Sequence, residues 1–508
     1  MTYFLGIDLG TSSVKVILVS HSGKIVARYS KGYAIYSPFT GWAEQDPEEW
    51  WQAVTRAIRG VLAQARIDSS LIKGIGISGQ THGTVVLDKN HHPLRKAIIW
   101  MDRRSVPQVE RLKKESGKRI MSITGLPISC GFMLPSVLWI KENEPEIWDK
   151  IFKIILPKDY IRLKLTGEVA SDVSDAGGTL LLDVVRRTWS KEIADETGIS
   201  FSFFPPLFES SQLTGYVIEE SANKTGLKKN TPVFAGGADQ VMMAIGSGVV
   251  DQGDVASSIG TGALLIAYLT HPILKPDRVL HTIPYAIPER WIIMGAILSG
   301  GASLSWFINR ILGINLLEKK LDEFMSQELS SRSAASRGLI FLPYLDGERT
   351  PHLDPLARGS LIGLTLNHDQ RDLIRAVMEG VIFALRDCLE EFKKSGIKPS
   401  RLVATGGGAK SKIWRQIQAN IFNLPVAVPN TEEASAYGAS VIAAVGSGFF
   451  SSTEEACKRW IKKEVVALPN CQEVKIYSEV YQIYRQLYSK LRKDFHFLSR
   501  IEQDVKIH

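Results

Sequence analysis

The chain has 508 residues, 44% hydrophobic and 22% charged, with 42 glycines and 22 prolines. That balance excludes a disordered or collagen-like chain. Because single cores stop growing at roughly 250–300 residues, the length favours two large domains. Lys and Arg number 61 against 53 Asp and Glu, a formal charge of +8. The basic residues are dispersed: Lys113-Lys114, Lys458-Arg459 and Lys462-Lys463 read as solvated helix faces and not as a nucleic-acid surface. Cysteines at 130, 388, 457 and 471 form no CxxC pair and no close Cys/His spacing, so neither a zinc site nor a disulfide framework is indicated, and a reducing cytoplasm fits. No basic, long-apolar leader precedes Asp8, so no secretion signal is expected. The uncharged run 291–308 is broken by Gly300-Gly301 and by Ser299, Ser303 and Ser305, which suits a buried strand and a helix start better than a membrane span.

In chain order, Tyr3 to Ile7 reads as a strand, Asp8 to Ser12 as a tight Gly-containing turn, and Val14 to Val19 as a returning β-branched strand. Pro47 to Ala65 reads as a helix, with Trp50, Val54, Ile58, Val61 and Leu62 at helical spacing; Ile75 to Ser78 follows as a strand. The first pattern then recurs: Val255 to Ile259, Gly260-Thr261-Gly262, Ala263 to Tyr268. Two equivalent hairpins predict a duplicated architecture, with domains 1–249 and 250–508. A helix over Ser303 to Leu312, a long helix over Asp369 to Phe392 and a strand Leu402 to Ala404 opening into Gly406-Gly407-Gly408 complete an α/β alternation. The segment from about 473 to 497, with Val474, Tyr477, Val480, Ile483, Leu487 and Leu491, reads as a packing helix.

Two familiar nucleotide patterns mislead. Gly74-Ile75-Gly76-Ile77-Ser78-Gly79 satisfies GxGxxG, but a further strand, Thr84 to Leu87, follows where the dinucleotide fingerprint needs a helix. Gly406 to Ser411 approaches a P-loop but carries Ala409 where the pattern requires Gly before Lys410. The Gly-Thr hairpin turns are better candidates, since their backbone N–H groups and hydroxyls can approach phosphate oxygens; Lys15 leaves the first. Phosphoryl transfer also needs a metal site and a base for the attacking hydroxyl. Asp8 and Asp239 qualify, the latter in Gly236-Gly237-Ala238-Asp239-Gln240, where small neighbours admit a substrate. Each feature alone is also an ordinary turn.

The motifs taken in order are more specific. Gly6-Ile7-Asp8-Leu9-Gly10-Thr11-Ser12, Gly79-Gln80-Thr81-His82-Gly83, Trp100-Met101-Asp102-Arg103-Arg104, Leu156-Pro157-Lys158-Asp159-Tyr160, Gly236 to Asp239, Ser258-Ile259-Gly260-Thr261, Gly347-Glu348-Arg349-Thr350-Pro351 and Gly406 to Ala409 run through nearly the whole chain. Together the set resembles the FGGY carbohydrate kinases. The resemblance implies an α/β fold of two ribonuclease-H-like (actin/hexokinase-type) domains around a central cleft, a sugar and ATP as small-molecule partners, Mg²⁺ as cofactor, and no nucleic-acid or membrane partner. A cytoplasmic location and a homodimer follow the family's habit. By position Asp239 matches the general base, and Asp8, with Asp239, the metal-associated carboxylates. Gly10, Thr11, Ser12 and Lys15 match one phosphate turn, and Gly260 and Thr261 the other. Gly301, Ser305, Gly408 and Ala409 fall beside the nucleotide, and Gln80, Thr81, His82, Trp100, Asp102 and Gln240 on the sugar side.

The implied activity is transfer of the γ-phosphoryl of ATP to a terminal hydroxyl of a ketose, D-xylulose in the first place. Departures at Thr81, Met101, Ser136 and Gln240 leave ribulose, another ketose or a polyol such as glycerol open, because sites that hydrogen-bond hydroxyls discriminate strongly. A non-catalytic sugar-binding, actin-like protein is the alternative from a different class.

Overall fold

The computed structural model describes residues 1–274, 279–314 and 334–505. They divide into two compact units, one formed by Met1–Val250, Leu269–Ile292 and Glu433–Lys462, the other by Asp251–Tyr268, Ile293–Glu432 and Lys463–His508. The first stretch ends beside the boundary expected at 249/250, but the units are not two contiguous halves. Two later segments return to the first.

In the first unit, strand β1 (Tyr3–Leu9) pairs antiparallel with β2 (Ser13–Ser20), which pairs with β3 (Ile25–Gly32). On its other edge β1 pairs parallel with Ile72–Gly79. That strand in turn has Pro232–Phe234 and the short Gly237–Ala238 strand as parallel partners. Helix α1 (Pro47–Ala65) begins where Asp46 accepts the Glu48 N–H at 2.9 Å, with Pro47 in the first turn, where its missing donor costs nothing. Its buried stripe, Trp50, Val54, Ile58 and Val61, packs in one apolar core with the strand residues Leu5, Ile7, Val16 and Ile75.

The helix Ala434–Gly446, far away in sequence, lies on β1 and on the Ile72–Gly79 strand. The approach is close: a Cβ on Gly76 would stand 1.9 Å from the Ala439 carbonyl oxygen. The GxGxxG pattern therefore marks a strand over which a helix passes at backbone distance.

The second unit repeats the plan. Asp254–Ile259 pairs antiparallel with Ala263–Leu269 and parallel with Arg401–Gly406, which continues through Val426–Pro429 to Lys463–Ala467. This hairpin with a parallel neighbour is the duplication read from the two Gly-Thr turns. The terminal helix, Cys471–Val505, is longer than the pattern predicts. Of the expected stripe Tyr477 and Leu487 are buried and Ile483 is exposed, while Tyr481 and Tyr484 complete the inward face. The tyrosine hydroxyls carry the reason, since Tyr477 donates to Glu379 at 2.6 Å and Tyr481 to Asp387 at 2.5 Å, satisfying buried acids on the long helix Gln370–Lys394. Among the described residues no helix is long and apolar enough to cross a membrane, and the four cysteines are free.

Substituting Gly76 tests the close helix contact. Gly76→Val is expected to destabilise the protein by about 3 kcal/mol or more, at or above the upper end of overpacking costs, because backbone and not a flexible side chain must give way. Thermal unfolding beside the wild type reads this directly; an unchanged melting temperature contradicts the contact.

Candidate active site

Three strand ends of the first unit meet along one sheet edge. Asp8 and Leu9 stand opposite Ser78 and Gly79, and Gly237 and Ala238 flank the same two residues from the other side. Such carboxyl ends of parallel strands are where open α/β sheets receive ligands. Asp8 accepts the Ser78 hydroxyl at 2.8 Å. Asp239 opens the helix Asp239–Gly246, its carboxylate accepting the Gln240 N–H at 2.8 Å and its carbonyl the Ser435 hydroxyl at 3.1 Å. Gly236, at φ +72°, makes the bend into this turn, and a Cβ there would meet the Ile77 carbonyl oxygen at 1.8 Å, so no side chain fits.

Electrostatics separate these acids from surface carboxylates. Asp239 keeps part of its surface in solvent, yet desolvation and then the neighbouring Asp8 charge push its carboxyl up to about 7. Asp8 is raised by burial and by Glu433, against the opposing pull of Ser78 and Lys15. Lys15 faces Asp8 across the hairpin. Its ammonium is paired with Glu433 at 2.9 Å; burial acts to depress its pKa, and the Glu433 contact outweighs that and raises it.

Around the first turn, the Trp100 indole donates to Thr11 Oγ1 at 2.9 Å, and Gln45 donates to the Thr11 carbonyl at 2.6 Å. Gln45 in turn accepts from Gln80 at 2.7 Å and from Trp50 at 3.1 Å. Gly10 takes the Tyr33 hydroxyl on its carbonyl, and Ser12 is exposed. Gln80 leaves the strand end hydrogen-bonded to Leu9. Thr81 and His82 are buried behind it; His82, at φ +72°, is held through Nδ1 on the Gly178 carbonyl and lies 4.1 Å from the Phe132 ring. The Oε1 atoms of Gln80 and Gln240 are buried with no hydrogen-bond partner among the described residues.

Asp102, expected on the sugar side, is buried together with Arg104. The Asp102 carboxylate already accepts from the Ala43 N–H at 2.7 Å and from Arg104 through Nη2 at 2.7 Å, and the Arg104 guanidinium lies 3.6 Å from the Trp42 ring. Asp102 is thus occupied in tying together the loops that carry Trp100, which sets it apart from Gln80 and Gln240. The departures also sort themselves. Met101 is exposed, and the Ser136 hydroxyl is spent on the Phe132 carbonyl at 3.0 Å. Thr81 and Gln240 therefore keep polar groups at the site.

In the second unit the remaining residues converge on one strand end. The Gly260 carbonyl accepts the Gly301 N–H at 2.7 Å and the Thr261 carbonyl accepts Gly300 at 2.9 Å. Ile259 is paired with Gly406, and Gly408 packs under the Ile259 side chain. Ala409 is half-buried beside it, and Ser305, on the helix Gly301–Trp306, is exposed. The pattern analysis missed Gln45, Ser78, Phe132 and Glu433. Each acts through a partner distant in sequence, and no local spacing reveals it.

Two family models match the chain: the N-terminal domain of the FGGY family of carbohydrate kinases over residues 3–246 and the C-terminal domain over residues 255–447. The chain belongs to the FGGY family of carbohydrate kinases, enzymes that use ATP to phosphorylate a sugar. It is 39% identical to a xylulose kinase of Bacillus subtilis over 96% of this chain and 97% of that one. Among solved structures it resembles ligand-bound xylulose kinase from Lactobacillus acidophilus (TM-score 0.92, 29% identity, 98% and 100% coverage) and gluconate kinase from the same organism (TM-score 0.90, 29% identity, 96% and 98% coverage).

The raised Asp239 carboxyl has a measurable cost. Between its ordinary value of 3.8 and about 7 the folded protein holds a proton that the unfolded chain releases, so this group lowers stability as pH rises through that window. Asp239→Asn is expected to raise the melting temperature at pH 8, with the gain shrinking towards pH 4. A pH-independent difference contradicts the assignment.

Proposed function

We propose that the chain phosphorylates a ketose with ATP, D-xylulose being the leading substrate, and that Asp239 is the general base. Relatives called xylulose kinase, 36–40% identical over 96–98% of the chain, support the sugar. The observation that carries the base is a carboxyl poised near 7 at the edge of parallel strands, since a base works best with its pKa close to the working pH.

A primary hydroxyl is a poor nucleophile, and its proton must leave as the O–P bond forms. Asp239 accepts that proton and orients the oxygen, while ADP departs with the electrons of the broken bond. Gln80, Thr81, His82, Trp100 and Gln240 are read as holding the sugar, with Asp102 at the pocket edge, where its carboxylate ties the Trp100 loop to Ala43 and Arg104. The Gly10–Ser12 turn with Lys15 faces phosphate; Gly260, Thr261, Gly301, Ser305, Gly408 and Ala409 take the nucleotide. Asp8 and Asp239 are a donor set that fits Mg²⁺, which uses one or two carboxylates and completes its shell with phosphate oxygens and water. When bound, Mg²⁺ supplies positive charge against the phosphates. We extend the reading to a cytoplasmic location, in keeping with the free cysteines, and to a homodimer, from family habit alone.

A coupled ADP-release assay across pentuloses, hexuloses and polyols tests activity and preference together. Release that depends on added sugar, highest with D-xylulose, is expected, and a better turnover with gluconate or glycerol reassigns the substrate. In Asp239→Asn the rate should fall by roughly 10²–10⁴ with the fold intact; near-normal turnover ends the base assignment. In Asp8→Asn the acid limb of kcat/KM for sugar should move to lower pH, because the charge that raises the Asp239 carboxyl is gone.

A further inference from the structure

Five ionisable side chains sit under the sugar side of this site without facing solvent: Lys158 and Arg162, Asp159, Asp172 and Asp175, each no more than 1% exposed. The mechanism uses none of them. Buried ion pairs stabilise folds poorly compared with apolar packing, so their presence calls for a role other than stability. Lys158 Nζ lies 2.6 Å from Asp159, 3.4 Å from Asp172 and 3.5 Å from Asp175. Asp172 and Asp175 belong to one buried turn, in which Asp172 caps the short helix Val173–Ala176 and accepts the Asp175 N–H at 3.1 Å.

That turn touches both arms of the site. At one end the Ser174 hydroxyl donates to Asp172 at 3.1 Å and accepts the Ala238 N–H at 3.3 Å, immediately before Asp239. A hydroxyl has one proton, so the donation to Asp172 fixes which side of the oxygen faces Ala238. Arg162, anchored on Asp159, holds the other end of the same segment by donating to the Ala235 carbonyl at 3.2 Å. At the far end of the turn the Gly178 carbonyl holds His82, and a Cβ on Gly178 would come 2.4 Å from Thr81 Oγ1 and 2.9 Å from His82 Nδ1. Thr179 then accepts the Leu134 N–H at 3.1 Å, fixing the start of the helix whose preceding residue, Phe132, lies against His82.

We infer that the turn 172–179, clamped by the Lys158 ammonium, is a rigid bracket whose Ser174 end positions the base Asp239 and whose Gly178 end positions the sugar-holding Thr81 and His82. Lys158, Ser174 and Gly178 are positioning residues and touch no reacting atom. The bracket fixes the spacing between the atom that takes the proton and the groups that hold the sugar, a spacing in which errors of about 1 Å cost on the order of 10² in rate.

The inference rests on the sugar-kinase reading, and steady-state kinetics of single variants separate the two. Ser174→Ala frees only the base arm: kcat should fall about tenfold with sugar KM within twofold and the acid limb of the pH profile unmoved, since no charge changes. Gly178→Ala displaces only Thr81 and His82: sugar KM should rise about tenfold with a smaller loss in kcat. Lys158→Met should show both effects with ATP KM within twofold; if it fails to fold, the two milder variants decide. The bracket is overturned if Ser174→Ala and Gly178→Ala both retain wild-type constants, or if both lose kcat and sugar affinity in the same proportion along with melting temperature. Absence of sugar-dependent ADP release by the unaltered protein refutes the kinase reading instead.

Discussion

Desolvation of Asp239, to which the charge of Asp8 across the Ile72–Gly79 strand adds, is the constraint on which the proposed chemistry depends. Two acids at one partly dehydrated sheet edge cannot both ionise without cost. The protein offsets the charge at Asp8 with the Ser78 hydroxyl and the cross-strand Lys15, and that at Asp239 with the backbone N–H groups of Gln240 and of Asp239 itself. On the proposed reading both carboxylates can hold the metal, and the less compensated one, Asp239, is the one suited to take a proton.

Holding two such groups in place requires stiffness near them, and the packing supplies it. The helix Ala434–Gly446 crosses the strands at a separation that excludes even a methyl group at Gly76, and Ser435, in its first turn, bonds the Asp239 carbonyl. Glu433, just before that helix, holds Lys15. One segment from the distant end of the chain therefore supports Asp239 from behind and sets the charge balance of Asp8.

These contacts also explain what could be read from sequence. Both hairpins, α1 and the long Gln370–Lys394 helix were legible because a Gly turn between β-branched runs, or an apolar stripe at helical spacing, is decided within about twenty residues. The return of 433–462 to the first unit was not, since nothing local in those residues says which sheet they cover. GxGxxG misled for the same reason, the demand for Gly76 coming from Ala439. In the site, Asp8 and Asp239 lie in Gly-rich turns that are ordinary taken singly, and only the ordered set of motifs singled them out. Gln45 gave no signal, because its role exists only where Thr11, Gln80 and Trp50 meet. The terminal helix was found with part of its inward face, Tyr477 and Leu487, but Ile483 took the place of Tyr481 and Tyr484, because hydropathy does not show that the buried acids Glu379 and Asp387 need hydroxyl donors.

Substrate choice lies on a finer scale than fold. Solved structures described as a xylulose kinase and a gluconate kinase match this chain with TM-scores of 0.92 and 0.90 at the same 29% identity, so the backbone is common property of enzymes with different acceptors. Discrimination must come from a few polar atoms whose satisfaction depends on the ligand. On the proposed reading those belong to Gln80, Gln240 and Thr81, the first two with Oε1 atoms that have no partner among the described residues. An acceptor lacking a hydroxyl opposite either amide oxygen leaves it buried and unpaired, at about 1–3 kcal/mol each, enough to separate sugars that the fold alone treats alike.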